Sequence, residues 1–68
     1  NGNLPLAMAD MDKAVAKDPA SPVARVRRAL VLERLEQREK AVADYREALK
    51  LFSGMKEAQE GLARLAGR

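Results

Sequence analysis

Two stretches of this 68-residue chain, 34 residues apart, repeat each other. Ala7-Met8-Ala9-Asp10-Met11, followed by Ala14-Val15, recurs as Ala41-Val42-Ala43-Asp44-Tyr45, followed by Ala48-Leu49, an offset of 41 − 7 = 34. Four of the seven pairs are identical, and the other three exchange one apolar residue for another. A fixed period of this size marks an architecture in which one supersecondary unit stacks on the next, because a single unit cannot bury its own apolar face. Residue types make the unit helical. Ala, Leu, Val and Met dominate the apolar set, Ile, Thr and Trp are absent, and Tyr45 and Phe52 are the only aromatics, so strand formers are scarce.

The first copy places Leu4, Ala7, Met8, Met11, Ala14 and Val15 at the three-and-four spacing of one helical face. Asp18-Pro19 ends that helix, since the residue before proline is pushed out of the α region. Ser21-Pro22 begins the next, with Ser21 as N-cap and Pro22 at the first helical position, where a missing N–H costs nothing. From there the pattern stays helical over residues 22–52, 31 residues, too long for an ordinary globular helix, so a break is expected within residues 35–38. The following stretch, with Val42, Tyr45, Ala48, Leu49 and Phe52, ends at Ser53-Gly54, where Gly54 is expected in the left-handed conformation. A closing helix over residues 55–66 places Met55, Ala58, Leu62 and Leu65 on one face, with Gly61 a weak point of about 1 kcal/mol. A domain of this size buries only about 60% of the surface its unfolded chain exposes.

In these residues the chain resembles the tetratricopeptide repeat family, whose helix-turn-helix unit has a 34-residue period. Gly2, Leu4, Ala7, Met11, Ala14 and Pro19 match the family's second-helix pattern in order, so residues 1–21 resemble the second half of one repeat. Residues 22–55 resemble a complete repeat, with Ala29 and Leu32 at its first-helix positions and Ala41, Tyr45 and Ala48 at its second-helix positions. Residues 56–68 resemble a capping helix or the first helix of a following repeat. The chain departs from the family at Arg25 and Arg28, where large apolar residues are usual, at Glu36 in place of the turn glycine, at Arg38 in place of an aromatic, and at Ser53 in place of the closing proline. The resemblance implies an all-α solenoid fragment of about four antiparallel helices. It also implies a non-catalytic scaffold that holds a peptide or partner helix on its first-helix face. Carried over position by position, that face comprises Val23, Val26, Arg27, Leu30, Glu33 and Arg34, an apolar floor beside two guanidinium groups able to pair with carboxylates.

The residue inventory agrees with a binding role. There is no His and no Cys, and the two serines, Ser21 and Ser53, fall at helix boundaries, which excludes a hydrolase triad and thiol chemistry. The glycines at 2, 54, 61 and 67 never approach a phosphate-loop spacing, and no cofactor is implied. Asp10 and Asp12, two apart on a helix, point to different sides and do not form a metal or acid-base pair. Asp10 recurs as Asp44, and both are expected at the surface or against a turn. Tyr45, standing where Met11 stands in the first copy, is expected in the core, and Met8, Met11 and Met55 in core or half-exposed packing in preference to an adaptable binding surface.

Arg25, Arg27, Arg28, Arg34 and Arg38 give the chain its basic cluster within a net charge of +3. They do not share one narrow helical face, stacking aromatics are missing, and Glu33, Glu36 and Glu39 dilute the field, so nucleic acid is the weaker partner class. No run approaches the roughly 18 apolar residues a membrane span requires, and the sequence assigns no compartment. The chain opens on Asn1, from which we expect a processed product or a piece of something longer. The first half-repeat would lack a helix to pack against, leaving Leu4, Met8 and Met11 partly uncovered, so we expect either that further repeats precede Asn1 or that the chain covers this face by forming a homodimer or swapping helices. If no turn forms at residues 36–38, the alternative is one long helix with a coiled-coil seam of Val31, Leu35, Arg38, Val42, Tyr45, Leu49 and Phe52, a rod of about 45 Å that drives oligomerisation.

Overall fold

The computed structural model of the chain describes residues 4–67; Asn1, Gly2, Asn3 and Arg68 lie outside the described residues. Four helices follow one another: α1 (Leu4–Lys17), α2 (Pro22–Arg34), α3 (Arg38–Leu51) and α4 (Lys56–Ala66). Among the described residues there is no strand. The α1–α2 junction forms as the proline pair requires. Asp18 N–H still reaches Ala14 O at 3.1 Å, the chain turns at Pro19, and the Ser21 side chain accepts from Ala24 N–H at 3.2 Å ahead of Pro22.

The break between α2 and α3 falls inside the expected window and has a defined geometry. Glu36 N–H donates to Glu33 O at 3.0 Å and Gln37 N–H to Leu32 O at 2.9 Å, the paired closure of a Schellman motif. Such closure needs one residue in the left-handed region, and Glu36 occupies it with φ 59°. The single 31-residue rod therefore does not form. The molecule measures 29 × 29 × 17 Å with a radius of gyration of 11.1 Å, close to the roughly 11 Å expected of a compact chain this long.

At the end of α3 the expectation for Gly54 is overturned. The helix stops because Phe52 is extended (φ −153°, ψ 100°), its N–H still donating to Ala48 O at 2.9 Å, and Met55 N–H then closes onto Phe52 O at 3.1 Å. Gly54 is not left-handed. The extended residue turns the chain before Gly54 is reached, so no left-handed closure is called for there.

Each helix packs on the next in sequence, and α4 also packs on α2, whereas α1 and α3 do not touch through their backbones. The core lies among α2, α3 and α4, built from Val26, Ala29, Leu32, Ala41, Tyr45, Ala48, Met55, Ala58 and Leu65, with Met8 of α1 against its edge. Ala29, Ala41, Ala48 and Ala58 are completely buried, and their small size lets the helix backbones come close around one large residue, Tyr45. Gly61 carries that close approach furthest. A Cβ at residue 61 would stand 2.6 Å from Tyr45 Cε1 and nearer still to Cζ, well inside van der Waals contact. The glycine is thus a packing requirement and not only a weak point of helix propensity.

Two substitutions separate local conformation from packing. Glu36→Gly relieves a left-handed β-carbon penalty of about 1 kcal/mol and should raise the urea midpoint by about 0.5–1 kcal/mol equivalent without changing the slope; an unchanged or lower midpoint contradicts that strain. Gly61→Ala, which in an exposed helix is stabilising by up to about 1 kcal/mol, should here destabilise by about 1–3 kcal/mol through overpacking against Tyr45. A thermal melt of the variant at or above that of the wild type would show that α4 does not lie on the Tyr45 ring.

Candidate functional site

Helix α2 faces three neighbours, and its side chains divide accordingly. Val26, Ala29 and Leu32 point into the core. Val23, Arg27, Leu30 and Arg34, spaced four, three and four residues apart, form one outward stripe along the helix, with Val23 46% and Leu30 44% exposed. Of the six residues assigned to the partner-binding face, these four are accessible. Val26 is only 5% exposed and belongs to the core. The Glu33 side chain is 9% exposed and engaged inside the molecule. Leu30, Glu33 and Arg34 meet Arg64 of α4 around an open depression of about 390 Å³, so the stripe continues onto the neighbouring helix.

Glu33 is the centre of a three-residue network. The Tyr45 hydroxyl donates to Glu33 Oε2, Arg64 donates to both carboxylate oxygens (Nη2 to Oε2 at 2.7 Å, Nε to Oε1 at 3.1 Å), and Arg64 Nη2 also reaches the Tyr45 hydroxyl at 3.3 Å. Burial, then the neighbouring Glu33 carboxylate, pushes the Tyr45 phenol well above the usual tyrosine range. Tyr45 is therefore core, as expected from its place in the repeat, but a core residue with a polar tip that ties α2, α3 and α4 together.

The arginine cluster is divided in the same way. Arg28 grips Asp44 with two parallel hydrogen bonds, Nε to Oδ2 at 2.7 Å and Nη2 to Oδ1 at 2.8 Å, and extends Nη1 to Asp12 Oδ1 at 3.1 Å. Arg25 Nη1 approaches the same Asp44 at 3.6 Å. The bidentate contact holds the Arg28 guanidinium in its charged form and raises its pKa. The expectation that Asp10 and Asp44 play one surface role is thus corrected: Asp44 is 4% exposed and neutralised by α2, whereas Asp10 is exposed. A 34-residue repeat equates the two positions in sequence, but only Asp44 has an arginine-bearing helix packed against it.

The sequence carried a usable signal for this pair. Arg25 and Arg28 occupy positions one turn apart on an otherwise inward face, and Asp44 lies between Ala41, Tyr45 and Ala48 on the inward face of α3, so two opposite charges stood where apolar residues were due. The Glu33–Tyr45–Arg64 network had no such signal, because its members are 12 and 31 residues apart and only the docking of α4 onto α2 and α3 joins them. Among the described residues no group of His, Cys, Asp and Glu is placed to hold a metal ion, and no helix is long and apolar enough to cross a membrane. No protein-family model, curated protein or solved structure matches the chain.

The single tyrosine makes its network directly measurable. Because the folded pKa lies above the unfolded value of about 10, the folded chain keeps a proton that the unfolded chain loses. The stability contributed by Tyr45 is therefore intact below about pH 10 and declines as pH rises past it. Tyrosinate absorbance of the folded protein should appear at distinctly higher pH than in denaturant, with Glu33→Gln bringing it part of the way back. Coincident titrations of the folded and denatured chains would contradict the buried phenol.

Proposed function

We propose that the chain is a non-catalytic protein-interaction module of the tetratricopeptide kind, which holds a peptide or partner helix along the outward stripe of α2. The stripe carries the proposal. Val23 and Leu30 are large apolar side chains left nearly half exposed, and they alternate with Arg27 and Arg34, which make no ion pair among the described residues. An apolar strip with two unneutralised guanidinium groups two turns apart suits a ligand that presents aliphatic side chains flanked by carboxylates.

The order of contacts supports the repeat reading. In a stack of two-helix units, the first helix of each unit touches its own second helix and the first helix of the next, and α2 touches α3 and α4. On that reading residues 1–21 supply a second helix, residues 22–55 a whole unit, and residues 56–68 the helix that follows. Nucleic acid is disfavoured by the fate of the basic cluster, since Arg25 and Arg28 are committed to Asp44 and Asp12.

Peptide-display selection against the immobilised chain should enrich sequences that combine aliphatic and acidic residues. Leu30→Asp and Arg34→Glu should each weaken the selected peptides by at least about tenfold, or about 1.4 kcal/mol, with helicity retained by circular dichroism. Peptides whose affinity ignores both changes, or tight binding of single-stranded DNA that collapses with added salt, would reject this surface and its ligand class.

A further inference from the structure

The polar network around Tyr45 reaches the surface at Arg64, a residue of α4 and not of α2. Arg64 lines the depression between the two helices together with Leu30, Glu33 and Arg34, and its side chain stays 45% exposed although it forks onto Glu33. A guanidinium carries five N–H donors. Arg64 spends them on one side only: Nε and Nη2 serve Glu33 and the Tyr45 hydroxyl, whereas Nη1 has no hydrogen-bond partner among the described residues. The grip of Glu33 and Tyr45 also fixes the plane of the group in advance, which lowers the entropic cost of a further contact. Arg34, one turn beyond Leu30 on α2, makes no ion pair among the described residues.

We propose that Arg64 is a specificity-determining residue of this surface: its Nη1 edge and the Arg34 guanidinium together take one acidic side chain of the bound peptide, whose aliphatic neighbour lies on Leu30. The inference rests on the reading of the α2 stripe as a ligand surface and gives that ligand a second helix to hold. Glu33 and Tyr45 act through Arg64 as positioning residues. Leu30, 44% exposed, supplies the apolar wall on the α2 side, so a side chain entering the depression meets hydrocarbon on one side and cations on the other.

Charge sets both the number and the kind of anion. Two guanidinium groups and the Glu33 carboxylate leave a net 2 − 1 = +1 around the depression, the complement of a single carboxylate. A phosphate monoester, at about −1.5 to −2 near neutral pH, would be pressed against Glu33, where like-charge repulsion and lost hydration oppose it. Every group invoked here lies between residues 30 and 64, on helices whose mutual packing is described.

The probes are three capped peptides, acetyl-Leu-Glu-amide, its Gln analogue and its phosphoserine analogue, titrated onto the full chain and followed by NMR at the Arg64 Nε–H and Leu30 methyl signals. The Glu peptide should bind weakly but saturably, at least about fivefold tighter than the Gln peptide through its charge-assisted pair, and tighter than the phosphoserine peptide. Arg34→Gln, at an exposed residue, and Arg64→Lys, which keeps the charge but loses the fork, should each bring the Glu-to-Gln affinity ratio to within about twofold of unity. A merely structural role for Arg64 would not move that ratio, because a loosened α4 weakens both peptides alike. A ratio near unity on the wild type, a ratio that neither substitution lowers, or tighter binding of the phosphoserine peptide would overturn the proposal. If the Leu30 signals still shift in such a case, α2 remains a ligand surface and only the role of Arg64 falls. If neither Leu30 nor Arg64 responds to any of the three peptides, both readings fall together.

Discussion

The structure depends on one buried tyrosine held on three sides. Tyr45 has no exposed surface, and in a chain with one other aromatic it is the only large, rigid body available to fill the space among α2, α3 and α4. A phenol buried without a partner for its hydroxyl is destabilising, so the position works only because Glu33 and Arg64 close over the oxygen. The ring also admits only glycine on the facing turn of α4. Without the ring, the apolar attachment of α4 would rest on Met55, Ala58, Leu65 and the partly buried Leu62.

Charge takes a share of the cohesion that apolar area supplies in larger domains. A chain this short has little core to work with, and two of its inward positions are filled by Arg28 and Asp44, paired by two hydrogen bonds. Such a pair adds less net stability than well-packed apolar residues of the same volume, but breaking it leaves an uncompensated charge, so it disfavours alternative registers of α2 on α3. It also reshapes the surface. Positive charge that reads in the sequence as one cluster of five becomes two inward arginines and three exposed ones, Arg27 and Arg34 flanking exposed Leu30 and Arg38 at the start of α3.

Repetition in sequence is not repetition in environment. Ala7 and Ala41, or Met11 and Tyr45, are equivalent by period, yet the α3 members are wholly buried and the α1 members half so. The difference comes from neighbours, not from helix propensity, since both copies form regular helices of 14 residues.

What the sequence determined by itself was local. The helical content, the Asp18-Pro19 stop, the Ser21 cap and the inward placing of Tyr45, Ala41 and Ala48 all follow from periodicity and from the conformational limits of proline, serine and alanine, which act over a few residues. The location of the α2–α3 break was legible from helix length, but not its mechanism, because nothing in a glutamate announces a left-handed residue; the closure of Leu32, Glu33 and Gln37 imposes it. Only the tertiary structure decided that Gly61 serves a contact, that Val26 and Glu33 turn inward, and that Asp44 and Asp10 part company. Each of those depends on which helix lies alongside, and the interactions responsible link residues 12 to 31 positions apart, far beyond the reach of any local pattern.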